Sequence, residues 1–175
     1  IDGPPNLHRA KRVLSPQTVF LTDTMLRDVI RHGTGRRALR LGRKDLAGKT
    51  GTTNDQRDAW FSGFNRNIVT ISWVGFDNPK PLGSHETGAI AALPMWIDFM
   101  RSALQGKPET PLEEPPGVVS VRIDAKTGLP TGADNKNAMF EFFRADHVPK
   151  RNNSANTSTP TQNSNTSENI TEQLF

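Results

Sequence analysis

An α/β (α+β) fold, in which an antiparallel sheet carries helices on both faces, is predicted for this 175-residue chain by three observations. Three strand-like segments lie close together, at about 46 to 53, 58 to 64 and 67 to 76. The second and third are separated by the short Asn65-Arg66 connection, which predicts an antiparallel hairpin. Helical patterns stand on either side, one opening at Ser15-Pro16 and one running from Thr87 to Gln105.

Taken in order, Ser15 offers a hydroxyl cap and Pro16 fits the first helical position. Val19, Thr22, Leu26, Val29 and Ile30 then keep helical spacing until Gly33 stops it. Residues 34 to 44 form an arginine-rich loop that delivers the chain to the first strand. In the third strand, Ile68, Val74 and Phe76 alternate with Val69, Ile71 and Trp73, so both faces are apolar. A central strand covered by helices on each side is expected. The second helix is apolar nearly all round from Ala89 to Met100; Pro94 should kink or restart it, and Gly106 should end it. Lys107 to Gly117, rich in proline and glutamate, is a linker. Val118 to Asp124 opens a small two-stranded element that turns through Ala125-Lys126-Thr127-Gly128. The expected division is 1–106 for the sheet domain, 107–149 for the linker and β appendage, and 150–175 for a polar tail.

Hydrophobic residues make up 34% of the chain and the mean hydropathy is -0.59, so part of the chain cannot be core. From Arg151 to about Thr171 the sequence is mostly Asn, Ser and Thr, which buries too little to offset chain entropy and predicts disorder. The net charge of +4 is concentrated in Arg36, Arg37, Arg40, Arg43, Lys44 and Lys49. Such a cluster fits a solvated basic loop better than a nucleic-acid site, because no aromatic RNA-binding signature or finger-type metal spacing accompanies it. The absence of cysteine excludes disulfides and thiolate metal sites. Histidines 8, 32, 85 and 147 are scattered, and His85-Glu86 lacks a second histidine at position 89, so neither a metal nor another cofactor is expected. No apolar run reaches the roughly 18 residues that span a bilayer.

The stretch richest in chemistry is Leu46-Ala47-Gly48-Lys49-Thr50-Gly51-Thr52-Thr53-Asn54-Asp55. A lysine, small hydroxyl residues and a glycine on one strand make a strip able to hold a carboxylate, while the glycine lets a ligand approach the backbone. A phosphate-binding loop would need glycine at position 43, which is Arg43, and a helix after the motif, where strand and turn are expected. A second Lys126-Thr127-Gly128, set between Asp124 and Leu129-Pro130, is turn chemistry. Asp55, Arg57 and Asp58 suit a turn or cap, and Trp60, Trp73 and Trp96 suit a core.

Lys49-Thr50-Gly51 resembles the third of the three motifs of penicillin-binding proteins and serine β-lactamases, S-x-x-K, S-D-N and K-T-G. The flanks Val13-Leu14-Ser15-Pro16-Gln17-Thr18, Arg31-His32-Gly33-Thr34-Gly35-Arg36-Arg37-Ala38, Val74-Gly75-Phe76-Asp77, Ala92-Leu93-Pro94-Met95-Trp96 and Val121-Arg122-Ile123-Asp124 are similar to the bifunctional (class A, 1A-type) penicillin-binding proteins. The likeness extends to about Pro149. No Ser-x-x-Lys occurs, and the Ser-x-Asn matches, Ser154-Ala155-Asn156 and Ser167-Glu168-Asn169, follow Lys49 instead of preceding it.

The resemblance implies the C-terminal part of a penicillin-binding, serine β-lactamase-like transpeptidase fold, separated from its nucleophilic serine. The parent it implies is a serine-type D,D-transpeptidase that cross-links peptidoglycan through an acyl-enzyme and also polymerises glycan strands. Its place would be the periplasmic face of the bacterial inner membrane, with the anchor and the serine in an N-terminal portion. Lys49 and Thr52 would be the catalytic contributors here, Lys49 by its charge and Thr52 by a backbone N–H in the oxyanion hole. Lys49, Thr50, Gly51 and Thr52 would bind the terminal carboxylate and backbone of a D-alanyl-D-alanine stem peptide or of a β-lactam. A basic rim would suit anionic peptidoglycan. The alternative expectation is a non-catalytic module that holds a cell-wall peptide or a protein by strand addition, with no nucleic-acid partner.

Overall fold

A computed structural model describes residues 11–150, and the tail expected from 150 lies almost wholly outside them. Helix α1 spans Pro16–Arg31, with Ser15 accepting a hydrogen bond from the Thr18 N–H as its cap. The chain then makes a short 3-10 turn, Arg36–Leu41, where a loop was expected; Ala38 is fully buried at its centre and holds it down. Strands β1 (Ala47–Thr52), β2 (Ala59–Phe64) and β3 (Val69–Val74) follow, all antiparallel in the order β1-β2-β3. A π-helical turn, Gly88–Ala92, leads into α2, Leu93–Ala103. Pro94 sits in the first turn of α2, where a missing N–H costs nothing, so the long apolar segment is two helical pieces instead of one.

Register sorts the sheet into two faces, because directly opposed residues share a side. Lys49 opposes Ser62, which opposes Ile71; Gly51 opposes Trp60, which opposes Trp73. Thr50 opposes Phe61, and Thr52 opposes Ala59. The Phe61 face is the core. Phe61, Leu93, Trp96 and Met100 are completely buried there, with Phe61 and Trp96 in an edge-on contact at 4.9 Å between ring centres. The Trp96 indole N–H donates to the Thr70 carbonyl, so the largest core residue leaves no buried donor unpaired.

The opposite face differs from expectation. Val69 is 76% exposed and Ile71 59%, and Trp60 and Trp73 are also exposed. Among the described residues β3 is therefore an edge strand with one bare apolar face, and two of the three tryptophans expected in the core lie on that face.

Two ion pairs fasten α1 and the linker to the start of β1. Arg27, buried on α1, bonds Asp23 one turn earlier and donates to the Lys44 carbonyl. Arg43 grips Asp45 with two hydrogen bonds, of 2.8 and 2.6 Å, and reaches the carbonyls of Lys107 and Pro108. Burial would raise the Asp45 carboxyl, but hydrogen bonds from Arg43, the Thr110 N–H and Asn65 outweigh it and hold the group below the usual carboxylate range.

The chain divides into two compact units, and residues 121–141 belong to the second. Strands β4 (Val118–Asp124) and β5 (Ala138–Arg144) form a two-stranded sheet. The Asp124 carboxylate accepts from the N–H groups of Lys126 and Thr127, and Gly128 takes a left-handed φ of 70°. A hydrogen bond from Asn135, the strongest influence, together with those bonds lowers the Asp124 carboxyl to about 2. The second Lys-Thr-Gly is thus a tight turn, as its flanks predict.

Candidate functional site on the first strand

Lys49, Thr50, Gly51 and Thr52 all fall on β1, and β1 is an edge strand that pairs only with β2 among the described residues. One side of its backbone is thereby left to accept another chain. The alternation of the strand separates the side chains: Lys49 shares a side with Ser62 and Trp60, whereas Thr50 and Thr52 turn toward the other.

Lys49 nonetheless reaches around the edge. Its exposed ammonium donates to the Thr50 carbonyl at 2.8 Å and lies 3.3 Å from the Thr50 hydroxyl. That hydroxyl in turn lies 2.8 Å from the hydroxyl of Thr34, which comes from the turn after α1. Thr52 Oγ1 accepts from the N–H of Gly88, the first residue of the π-helical turn, at 3.1 Å. The Thr52 hydroxyl keeps its own proton for another acceptor. One ammonium and two hydroxyls are thus gathered along an open edge, an arrangement whose donors suit a carboxylate.

The end of β1 is fixed by the residues that suit a cap. Thr53 Oγ1 accepts from the Asp58 N–H at 2.8 Å, and Asp58 accepts from the Trp73 indole at 2.9 Å. Between them Asp55 and Gln56 both take left-handed backbone conformations, with φ of 58° and 53°. Two residues of this neighbourhood escape a reading of sequence. Thr34 and Gly88 touch the strand from positions 16 and 36 residues away, and the signals for Thr34 are its place between two glycines and within one of the flanks that resemble the family. Among the described residues no cluster of acidic and histidine side chains suits a metal ion, and no helix is long and apolar enough to cross a membrane.

A mixed helical and antiparallel structure with a Lys-Thr-Gly edge strand has the penicillin-binding transpeptidase fold. The crystal structure of penicillin-binding protein 1A from Haemophilus influenzae superposes with a TM-score of 0.75 at 40% identity, over 81% of this chain and 22% of that one. Penicillin-binding protein 1A of Pseudomonas aeruginosa is 51% identical over 140 residues, 80% of this chain and 17% of that protein. The protein of the same name in Neisseria lactamica is 47% identical over 111 residues, 63% of this chain and 14% of its own length. No family model matches the sequence. The chain belongs with the penicillin-binding proteins of the 1A type. It spans less than a fifth of the length of the two curated relatives named here.

Proposed function

We propose that this chain supplies the carboxylate-binding strand of a serine D,D-transpeptidase that cross-links peptidoglycan. The observation that carries the reading is the gathering of the Lys49 ammonium and the Thr50 hydroxyl, 3.3 Å apart, at the open edge of β1 in a relative of penicillin-binding protein 1A. The terminal carboxylate of a D-alanyl-D-alanine stem peptide, or the carboxylate of a β-lactam, would take hydrogen bonds from Thr50 and Thr52. Its charge would be balanced by Lys49. Each charge-assisted bond is worth about 1.5 to 3 kcal/mol, enough to orient the scissile carbonyl.

Chemistry then proceeds by acyl transfer. A serine hydroxyl attacks the penultimate D-alanine carbonyl, the developing oxyanion is met by the Thr52 N–H and one other donor, and the terminal D-alanine leaves. An amine of a second stem peptide takes the acyl group and completes the cross-link. The sequence holds no Ser-x-x-Lys, so the nucleophile and its base are supplied by residues outside this chain. The longer protein would work at the periplasmic face of the inner membrane and would also extend glycan strands.

A second reading, a non-catalytic module that binds a peptide by strand addition, is favoured by the same open edge of β1. Intact mass after exposure to penicillin separates the two. A stoichiometric adduct on the longer protein and none on this chain is expected for the transpeptidase reading. No adduct on either supports the binding module, and an adduct on the isolated chain refutes the assignment of the nucleophile elsewhere.

A further inference from the structure

Thr34 lies between two glycines that are packed tightly under the last turn of α1. The N–H groups of Gly33 and Gly35 both donate to the Val29 carbonyl, at 3.1 and 2.9 Å. A Cβ at Gly33 would stand 3.0 Å from the backbone of Val29, and one at Gly35 would stand 3.2 Å from Val29 O and from the Ile30 side chain. Those contacts are tighter than ordinary packing, so a side chain on either side of position 34 would have to push its neighbours aside by a few tenths of an ångström. The turn aims Thr34 at β1, where its hydroxyl stands 2.8 Å from that of Thr50.

Counting protons gives this contact a direction. A threonine hydroxyl has one proton and two lone pairs, and an ammonium only donates. Lys49, 3.3 Å away, occupies one lone pair of Thr50 Oγ1. If Thr34 donates into the other, both acceptor sites of Thr50 are filled, and its single proton is left for an anion at the strand edge.

We propose that Thr34 is a positioning residue for substrate carboxylates: its hydroxyl donates to Thr50 and thereby holds the Thr50 proton toward the ligand. This rests on the reading of β1 as the carboxylate-binding strand. A Thr34 that merely packs would leave carboxylate recognition unchanged when its hydroxyl is removed.

The test uses the longer protein that carries this chain, with Thr34→Val, Thr34→Ser, Thr50→Val and the Thr34→Val/Thr50→Val double variant. The second-order acylation rate is measured for a penicillin and for its carboxyl methyl ester, with melting temperature recorded for each variant. Losing one hydroxyl contact should slow acylation by the free acid about tenfold in Thr34→Val, with the ester slowed less than twofold. Thr34→Ser should return the rate to within about twofold, and the double variant should be no slower than Thr50→Val, because the two groups act as one unit. Equal slowing of acid and ester by Thr34→Val would make Thr34 structural and overturn the proposal. So would an unchanged rate in Thr34→Val beside a slowed Thr50→Val, which leaves the strand reading intact. An unchanged rate in Thr50→Val would instead overturn the strand reading, and the role of Thr34 with it.

Discussion

Replacing Gly88 with alanine tests how closely the π-helical turn is fitted to β1. The added Cβ would collide with the Trp60 carbonyl oxygen and fall 2.6 Å from the Gly51 carbonyl oxygen. Both are backbone atoms of the paired strands β1 and β2, so neither can swing aside as a side chain would. The turn must lift by about an ångström, and overpacking of this kind costs about 1 to 3 kcal/mol. Lifting also removes the Thr52 hydroxyl from the buried Gly88 N–H, a loss of about 1 to 3 kcal/mol. The better helix propensity of alanine returns at most about 1 kcal/mol. A net loss of about 3 kcal/mol is expected. Urea unfolding at low micromolar concentration, followed by the three tryptophans, reads it directly. Thr52→Val, which removes the acceptor without the collision, should carry only the hydrogen-bond part of that loss, about 1 to 3 kcal/mol. A Gly88→Ala protein within roughly 0.5 kcal/mol of the parent, the scatter of neutral surface changes, would refute the claimed fit.

Three further outcomes follow from other parts of the molecule. In the longer protein, Lys49→Ala should slow penicillin acylation by about one to two orders of magnitude, whereas Lys126→Ala, in the Asp124 turn, should leave it nearly untouched; equal effects would put the active strand on the wrong copy. The Asp45 carboxyl is held below its ordinary value, so its contribution is complete above the unfolded pKa of about 4 and is lost as pH falls through the lower folded value. Asp45→Asn should therefore lower stability at pH 7 by about 3 kcal/mol and flatten the acid limb of a pH-stability curve below about pH 4, and an unchanged acid limb would contradict the pairing with Arg43. The isolated chain should self-associate through the bare face of β3, so Ile71→Lys should shift sedimentation toward monomer, and no shift would mean that this face is not the sticky one.

Local signals were strong enough in the sequence to place most elements within a residue or two. Ser15-Pro16 marks the start of α1, and the strand expected at about 46 to 53 is β1, Ala47–Thr52. Pro94 announces the break between the π-helical turn and α2. Contacts that join distant segments left no such mark. Nothing local in Thr34 or Gly88 points to β1, because each contact exists only once the chain has folded back. The apolar alternation of β3 reports that both faces favour burial, but it does not say what buries them. The arginine-rich stretch concealed a 3-10 turn because its one anchoring residue, Ala38, is too small to stand out among four arginines.

The split of Lys49 from Thr50 and Thr52 across the two sides of β1 bears on how this segment can evolve. Exchange of one residue for another leaves every neighbour on its own side of the strand. Insertion or deletion of a single residue between Ala47 and Thr52 has a different result. It moves the lysine onto the buried side facing Phe61 or throws at least one hydroxyl toward Trp60, depending on where the change falls, unless the pairing with β2 slides to compensate. Lineages descending from this chain should therefore tolerate substitutions within the motif far more readily than changes in its length, and a library of single-codon deletions across positions 47–52, scored for folded protein, would register that asymmetry.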